Sequence, residues 1–354
     1  MRVRKTIFIL ILIALAFQGA SAQFLYKLPP PQAVYAPCDT TTVFIIGDVM
    51  MHRKQLEHDH TTFLEYIEPH MQKADFCVAN MEFSLGGKPY TGYPAFSTPD
   101  WYADYLAQCG ADVFLTANNH ILDRGLKGLR RTLKVYDKMA DSLGIHYTGV
   151  GSEPLIIRRR GISIALVNFT YGTNVGPEVS SPDVLRMRKE DVAKAIGKAQ
   201  EKGADFIVAL PHWGNEYQLR HSPAQESWAE WLVSEGCCAV VGAHPHVVQD
   251  TTHIKGTPVI YSMGNAVSNM SAENTRLELA VTLRFIFDRN SGMKRMLEPQ
   301  LDFMWCTLPG RLTHSYATIM IKEWANRRGD WLMSSDYDNM IQTLERVKSI
   351  TGIQ

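Results

Sequence analysis

Residues 238–246 read Cys-Ala-Val-Val-Gly-Ala-His-Pro-His, an apolar run that stops at Gly242 and delivers two histidines, His244 and His246. The run has the length and β-branched content of a buried strand, and a strand's period of two would aim both imidazoles the same way. Imidazole can be packed in a core as well as bound to a metal, so the pair acquires meaning only from what other strands bring to it.

Four more runs end alike. Thr42 to Ile46 is followed by Gly47-Asp48, and Phe76 to Ala79 by Asn80-Met81-Glu82. Val113 to Thr116 is followed by Asn118-Asn119-His120 and Asp123, and Phe206 to Leu210 by Pro211-His212-Trp213 and Glu216. Ile162 to Asn168 and Val259 to Tyr261 are further strand-like runs. Helical patterns at Pro99 to Cys109, Gly125 to Leu143, Lys189 to Lys202 and Pro223 to Glu235 alternate with them, which predicts βαβ units and an α/β fold with buried sheets. After Thr275, Leu277 to Phe287 and Leu301 to Thr307 read as longer antiparallel strands, and Tyr337 to Ile350 as a helix completing the same domain.

In an open α/β sheet the carboxyl ends of parallel strands meet at one crevice. Gathered there, His212, His244 and His246 with Asp48, Glu82 and Asn119 offer nitrogen and oxygen donors in equal number. That mixture suits zinc, manganese or iron better than calcium, which takes oxygen ligands. Taken singly, each element has a plain structural reading. Gly47-Asp48 is a turn, Asn80 and Glu82 are capping or surface residues, Asn118-Asn119 caps a helix, and His212 packs beside Trp213. Taken together they make a site. Of the other histidines, His58, His60 and His70 read as solvated, His146, His221, His253 and His314 lack converging partners, and His52 stays a candidate because it follows Asp48 closely.

Composition narrows the class. The chain has 354 residues, 45% of them hydrophobic, and equal numbers of basic and acidic side chains, 36 of each, so no overall field attracts nucleic acid. Arg2, Arg4 and Lys5, the apolar run Ile7 to Phe17 and the small-residue Ala20-Ser21-Ala22 site make residues 1–22 an expected signal peptide. The apolar run falls short of the ~20 residues a membrane span needs. An exported protein of the periplasm or cell envelope follows as the expectation. Residues 23–40, with Pro29, Pro30, Pro31 and Pro37, are expected to be an extended linker and 41–354 the folded domain. The six cysteines match no zinc spacing; buried free thiols are expected for most, with a disulfide at Cys38 or Cys306 left open.

The ordered blocks Gly47-Asp48, Asn80-x-Glu82, Ala117-Asn118-Asn119-His120 with Asp123, His212-Trp213-Gly214-x-Glu216, Gly242-x-His244-Pro245-His246 and Tyr261-Ser262-x-Gly264-Asn265 resemble those of the CapA family, bacterial poly-γ-glutamate capsule synthesis proteins, from about Val43 to Val267. That family is similar in turn to calcineurin-type metallophosphoesterases. The resemblance implies a four-layer α-β-β-α sandwich, two mixed sheets flanked by helices, with a centre for one or two divalent ions at the strand ends. Under it Asp48 matches the first aspartate, Glu82 or Asn80 the bridging carboxylate position, Asn119 the amide ligand, and His212, His244 and His246 the histidine ligands. His120 matches the histidine that polarises substrate or protonates the leaving group. One departure stands out: Met50 occupies the position of a ligand histidine.

The implied chemistry is hydrolysis of a phosphoester or an amide in the synthesis, export or processing of a glutamate polymer, with membrane-bound capsule synthesis proteins as partners. The alternative is a non-catalytic envelope protein that binds or guides the polymer. Asp123 is expected to fix the His120 tautomer, Glu216 to orient a ligand or substrate or else to be a surface carboxylate, and Asn265 to close the rim. Arg124, Arg130 and Arg131 either meet a polyanion or form a solvated helix face.

Overall fold

The computed structural model describes residues 38–175 and 183–354. The expected signal peptide and residues 23–37 of the expected linker lie outside the described residues. Strand β1 (Cys38–Val49) already begins inside that linker stretch, because Cys38 to Thr42 pair with the backbone of Asp288 to Arg284.

Chain order explains the architecture. The first four strands, β1, β2 (Phe76–Met81), β3 (Val113–Leu115) and β4 (His146–Thr148), lie parallel side by side. The next six form a second sheet in the order β5-β6-β7-β8-β10-β9: β5 (Leu155–Arg159), β6 (Ile162–Thr170), β7 (Phe206–His212), β8 (Ala239–Val241), β9 (Thr251–Ile254) and β10 (Thr257–Ile260). The chain then returns. Strands β11 (Leu277–Asp288), β12 (Lys294–Met296), β13 (Gln300–Thr307) and β14 (Ala317–Met320) extend the first sheet antiparallel beyond β1. Both sheets are therefore mixed.

Side-chain alternation sorts the core into layers. Val43 and Ile45 of β1, Val78 of β2 and Val113 of β3 pack with Ile164 and Leu166 of β6, Val208 of β7 and Val241 of β8 in one cluster between the sheets. Phe44, Ile46, Cys77, Ala79 and Phe114 point the other way, onto helices Asp100–Gln108 and Gly125–Leu143 through Tyr102, Leu106 and Tyr136. Val167, Ala209 and Val240 likewise meet helices Lys189–Glu201 and Pro223–Ser234. Each fully buried Val, Ile or Phe contributes about 1.5–3 kcal/mol. The result is the four-layer sandwich of two mixed sheets flanked by helices. The final helix, Ser334–Thr351, joins the intersheet cluster through Met340 and Val347, and a buried two-pronged pair from Arg276 to Asp336 pins it.

The cysteines are free thiols, Cys77, Cys109, Cys237 and Cys306 being buried. Arg131 is committed to structure: its guanidinium holds Asp100 at 2.7 and 2.8 Å and the Leu85 carbonyl at 2.5 Å, tying two helices to the loop after β2. It is therefore not free to meet a polyanion.

Gly242 directly follows β8, and its amide bonds the Ile260 carbonyl of β10 at 2.8 Å. A methyl group there would sit 2.2 Å from the Tyr261 carbonyl and 2.4 Å from the Trp213 indole nitrogen, and backbone cannot yield as a side-chain tip does. Gly242→Ala should cost at least about 3 kcal/mol of stability, measured by denaturant unfolding; a loss below about 1 kcal/mol would show that the strands can part there.

Candidate metal centre

Strand ends of both sheets supply the site. Asp48 is the penultimate residue of β1, and its amide bonds the Gly264 carbonyl at 3.0 Å. The preceding Gly47 amide donates to Glu278 Oε1 of β11 at 2.5 Å, a contact that requires glycine because a methyl group would come 2.1 Å from the Gly264 carbonyl. Asn80 is on β2 with Glu82 just beyond its end; Asn119 and His120 follow β3, His212 ends β7, and His244 and His246 follow β8.

These side chains converge, and all of them are buried. Asp48 lies 3.2 Å from His246 Nδ1 and 4.0 Å from His212 Nδ1, and accepts the Asn80 amide at 2.6 Å. His212 Nε2 lies 2.8 Å from Asn119 Oδ1, and its Nδ1 lies 3.2 Å from Asn80 Nδ2. Glu82 Oε1 is ringed by His212 at 3.7 Å, His246 at 3.8 Å and His120 at 4.0 Å. His120 Nδ1 is bonded to Asp123 at 2.6 Å, and Phe96 stands edge-on to its ring at 4.7 Å. Asn265 is buried and bonded to His246 Nδ1 at 2.9 Å, so it braces a site residue from behind instead of closing the rim.

The two histidines that opened the sequence reading face the centre for a reason other than strand alternation. β8 ends at Val241, and His244 and His246 take positive φ values of 102° and 58°. This backbone is costly for any residue with a Cβ, by about 1–3 kcal/mol. The His244 amide donates to Asp48 at 3.2 Å, which helps hold the turn.

Burial sets the electrostatics of the pocket. Burial, followed by the Asp48 charge beside it, pushes the Glu82 carboxyl well above its usual range. Burial would raise Asp48 as well, but the His246 hydrogen bond, the His246 charge and the Asn80 hydrogen bond outweigh it and bring Asp48 down to about 2. Burial holds His212 well below its ordinary value and His244 at about 3, both neutral and ready to coordinate. His246 is raised, because its bond to Asp48 overcomes burial.

Do these residues fit a metal ion? Both Glu82 oxygens, Asn80 Oδ1 and His244 Nδ1 are buried without hydrogen-bond partners. Buried polar atoms are rarely left so, and a cation would satisfy several at once. Three overlapping sets, Glu82-His212-His244, Asp48-Glu82-His246 and Glu216-His244-His246, each bring ligand atoms within 4.8 Å of one another. Glu216 is exposed, and it joins the second histidine pair from the solvent side.

Two residues were missed by the strand-end reading. Asn174, in the loop after β6, places its amide 3.1 Å from His120 Nδ1 and 3.5 Å from Asp123. Following β6 past Asn168 by the same rule would have found it. Glu278 arrives on an antiparallel strand, and nothing in its local sequence marks it. Met50 packs in the helix-side core, away from the donors, while half-buried His52 lies beside Phe96 and bonds the Asn269 amide at 3.3 Å.

Because a cation must displace any proton held by the raised Glu82 carboxyl, affinity for Mn²⁺ or Zn²⁺ should rise with pH and binding should release protons. Calorimetry in buffers of different ionisation enthalpy reads this directly; no buffer dependence would mean that the carboxylate is already ionised. Relief of the positive φ predicts that His246→Gly is more stable than His246→Ala by about 1 kcal/mol in thermal unfolding.

Comparison with known proteins agrees with the block order. The Capsule biosynthesis protein CapA of Bacillus anthracis is 29% identical over 256 residues, covering 66% of this chain and 61% of that protein. The PGA biosynthesis protein CapA of Bacillus subtilis is 28% identical over 263 residues, covering 71% of this chain and 69% of its own length. The chain thus spans about three fifths of the first relative. Among solved structures, Haemophilus influenzae NAD nucleotidase aligns at 12% identity and a TM-score of 0.44 over 87% of this chain and 63% of that one. Residues 42–270 match the family described as Bacterial capsule synthesis protein PGA_cap, and the chain belongs to that family.

Proposed function

We propose that this chain is an exported, metal-dependent hydrolase acting in the synthesis, export or processing of a glutamate polymer at the cell envelope. The observation that carries the reading is Glu82, a buried carboxylate with two unpartnered oxygens beneath the imidazoles of His120, His212 and His246. Asp48, Asn119, His212, His244 and His246 complete the donor set with it. When bound there, a divalent ion supplies Lewis acidity, polarising a phosphoryl or carbonyl oxygen and acidifying water.

The chain's own residues account for the rest. Asp123, bonded to Nδ1 of His120, fixes the tautomer and turns Nε2 toward the centre. As the imidazolium, His120 can hand its Nε2 proton to a leaving oxygen or nitrogen and keep the Nδ1 proton on Asp123. Phe96 and Asn174 keep the ring in place. The role in polymer metabolism rests on family membership, and membrane-bound capsule synthesis proteins are the partners it brings with it. Export rests on the N-terminal sequence pattern.

A second reading, a polymer-binding protein without turnover, is favoured by Met50, whose burial in the core leaves its position without a ligand. Metal analysis combined with assays on a p-nitrophenyl phosphodiester, the corresponding monoester and poly-γ-glutamate separates the two. His120→Ala should lower kcat by about 10²- to 10⁴-fold with metal content unchanged. Bound metal with no turnover on any of these substrates would establish the binding role instead.

A further inference from the structure

The mouth above His120 is a cavity of about 330 Å³ whose lining includes Tyr93, Asn119, His120, Asp123, Asn174 and Glu216. Among the described residues, no lysine or arginine lines it, and two of those groups are carboxylates. A polyanion entering this way would meet like charge before it reached the donors.

Exposed aromatic rings stand beside the centre, and one of them, Tyr93, lines the mouth. Tyr93, Tyr171 and Tyr217 are 73%, 48% and 52% exposed, and each leans on a site imidazole. Tyr171 lies over His244 at 4.6 Å between ring centroids and parallel to His212 at 6.5 Å; Tyr217 sits 6.1 Å from His246, and Tyr93 6.4 Å from His120. Two of them are set by backbone bonds: the Tyr171 amide donates to the His212 carbonyl and the Tyr217 amide to the Pro245 carbonyl, both at 2.9 Å. Tyr217 has a φ of 65°, a strained conformation for a bulky residue that is retained where it directs the ring toward the centre. Three large rings left open to water, each beside an imidazole of the same centre, are poor design for a surface and suitable design for a contact.

We propose that Tyr93, Tyr171 and Tyr217 form a stacking collar that selects a substrate whose leaving group carries an uncharged ring, a sugar or a nucleobase, beside the ester. This rests on the hydrolase reading and assigns it a substrate class: the collar holds the ring while the ester faces Glu82 and the imidazoles. A glutamate polymer then concerns the pathway the protein serves more than the group it grips.

The test is equilibrium binding to the intact chain loaded with Mn²⁺, using phenylphosphonate and methylphosphonate, whose phosphorus–carbon bonds resist hydrolysis. Phenylphosphonate should bind about tenfold more tightly, the size of one or two good stacking contacts. Tyr171→Leu and Tyr217→Leu should each remove three- to tenfold of that advantage and leave methylphosphonate unchanged. Adenosine and methyl glucoside as competitors identify the ring by whichever displaces phenylphosphonate better. Equal affinity for the two phosphonates, a preference that survives both substitutions, competition by neither ring, or tighter binding of oligo-γ-glutamate that ignores Tyr171→Leu would each overturn the collar. Binding of neither phosphonate overturns it together with the metal centre beneath. A tyrosine-dependent preference in a protein that turns over no ester leaves the collar standing and removes only the hydrolase reading.

Discussion

Glu82 puts a buried carboxylate with two unpartnered oxygens beneath three imidazoles, and a charge so placed is unfavourable by several kcal/mol unless a proton or cation joins it. The neighbours follow from that constraint. Asp48 can remain ionised only because His246 and Asn80 bond it. His212 and His244 are kept neutral by the same burial that raises Glu82, so the pocket holds acceptor lone pairs and few competing protons. Asn265 then fixes the His246 ring from outside.

The donors come from two sheets, and the core between them sets their spacing. Asp48, Asn80, Glu82, Asn119 and His120 stand on or after β1, β2 and β3; His212, His244 and His246 on or after β7 and β8. Val43, Val78, Val208 and Val241, packed against one another below, work as the ruler. A change of one methylene in that layer moves one half of the site against the other, since protein interiors transmit such changes instead of absorbing them.

Much of this was legible in the sequence, for identifiable reasons. Buried parallel strands are short apolar runs, and their ends must turn, so polar residues at five such ends were conspicuous. Helix Gly125–Leu143 and strand Ala239–Val241 were placed to the residue, because glycine marks the exit of each element. Strands β4, β5, β9, β12 and β14 were not seen; they are short, and each pairs along one side only, so none shows the long apolar run of a strand buried between two neighbours. The aim of His244 and His246 was anticipated through a strand periodicity that does not apply, since two left-handed residues do the work. Asn265 looked like a rim residue because its loop position said nothing of depth, and Arg131 looked available because its partner Asp100 sits on another helix.

The hydrogen bond from Gly47 to Glu278 joins residues 231 positions apart. β1, which carries Asp48, lies between β2 and β11 in its sheet, so one side of it stays open until Leu277–Asp288 has been made. A ribosome releases this chain from its N-terminus, and long-range pairing of that kind is slow even when both partners are present. For most of its synthesis the growing polypeptide therefore shows an apolar strand edge, Val43 to Ile46, to any other strand nearby. The last quarter of the sequence, which contributes no donor to the pocket, is what shields the first quarter from its neighbours.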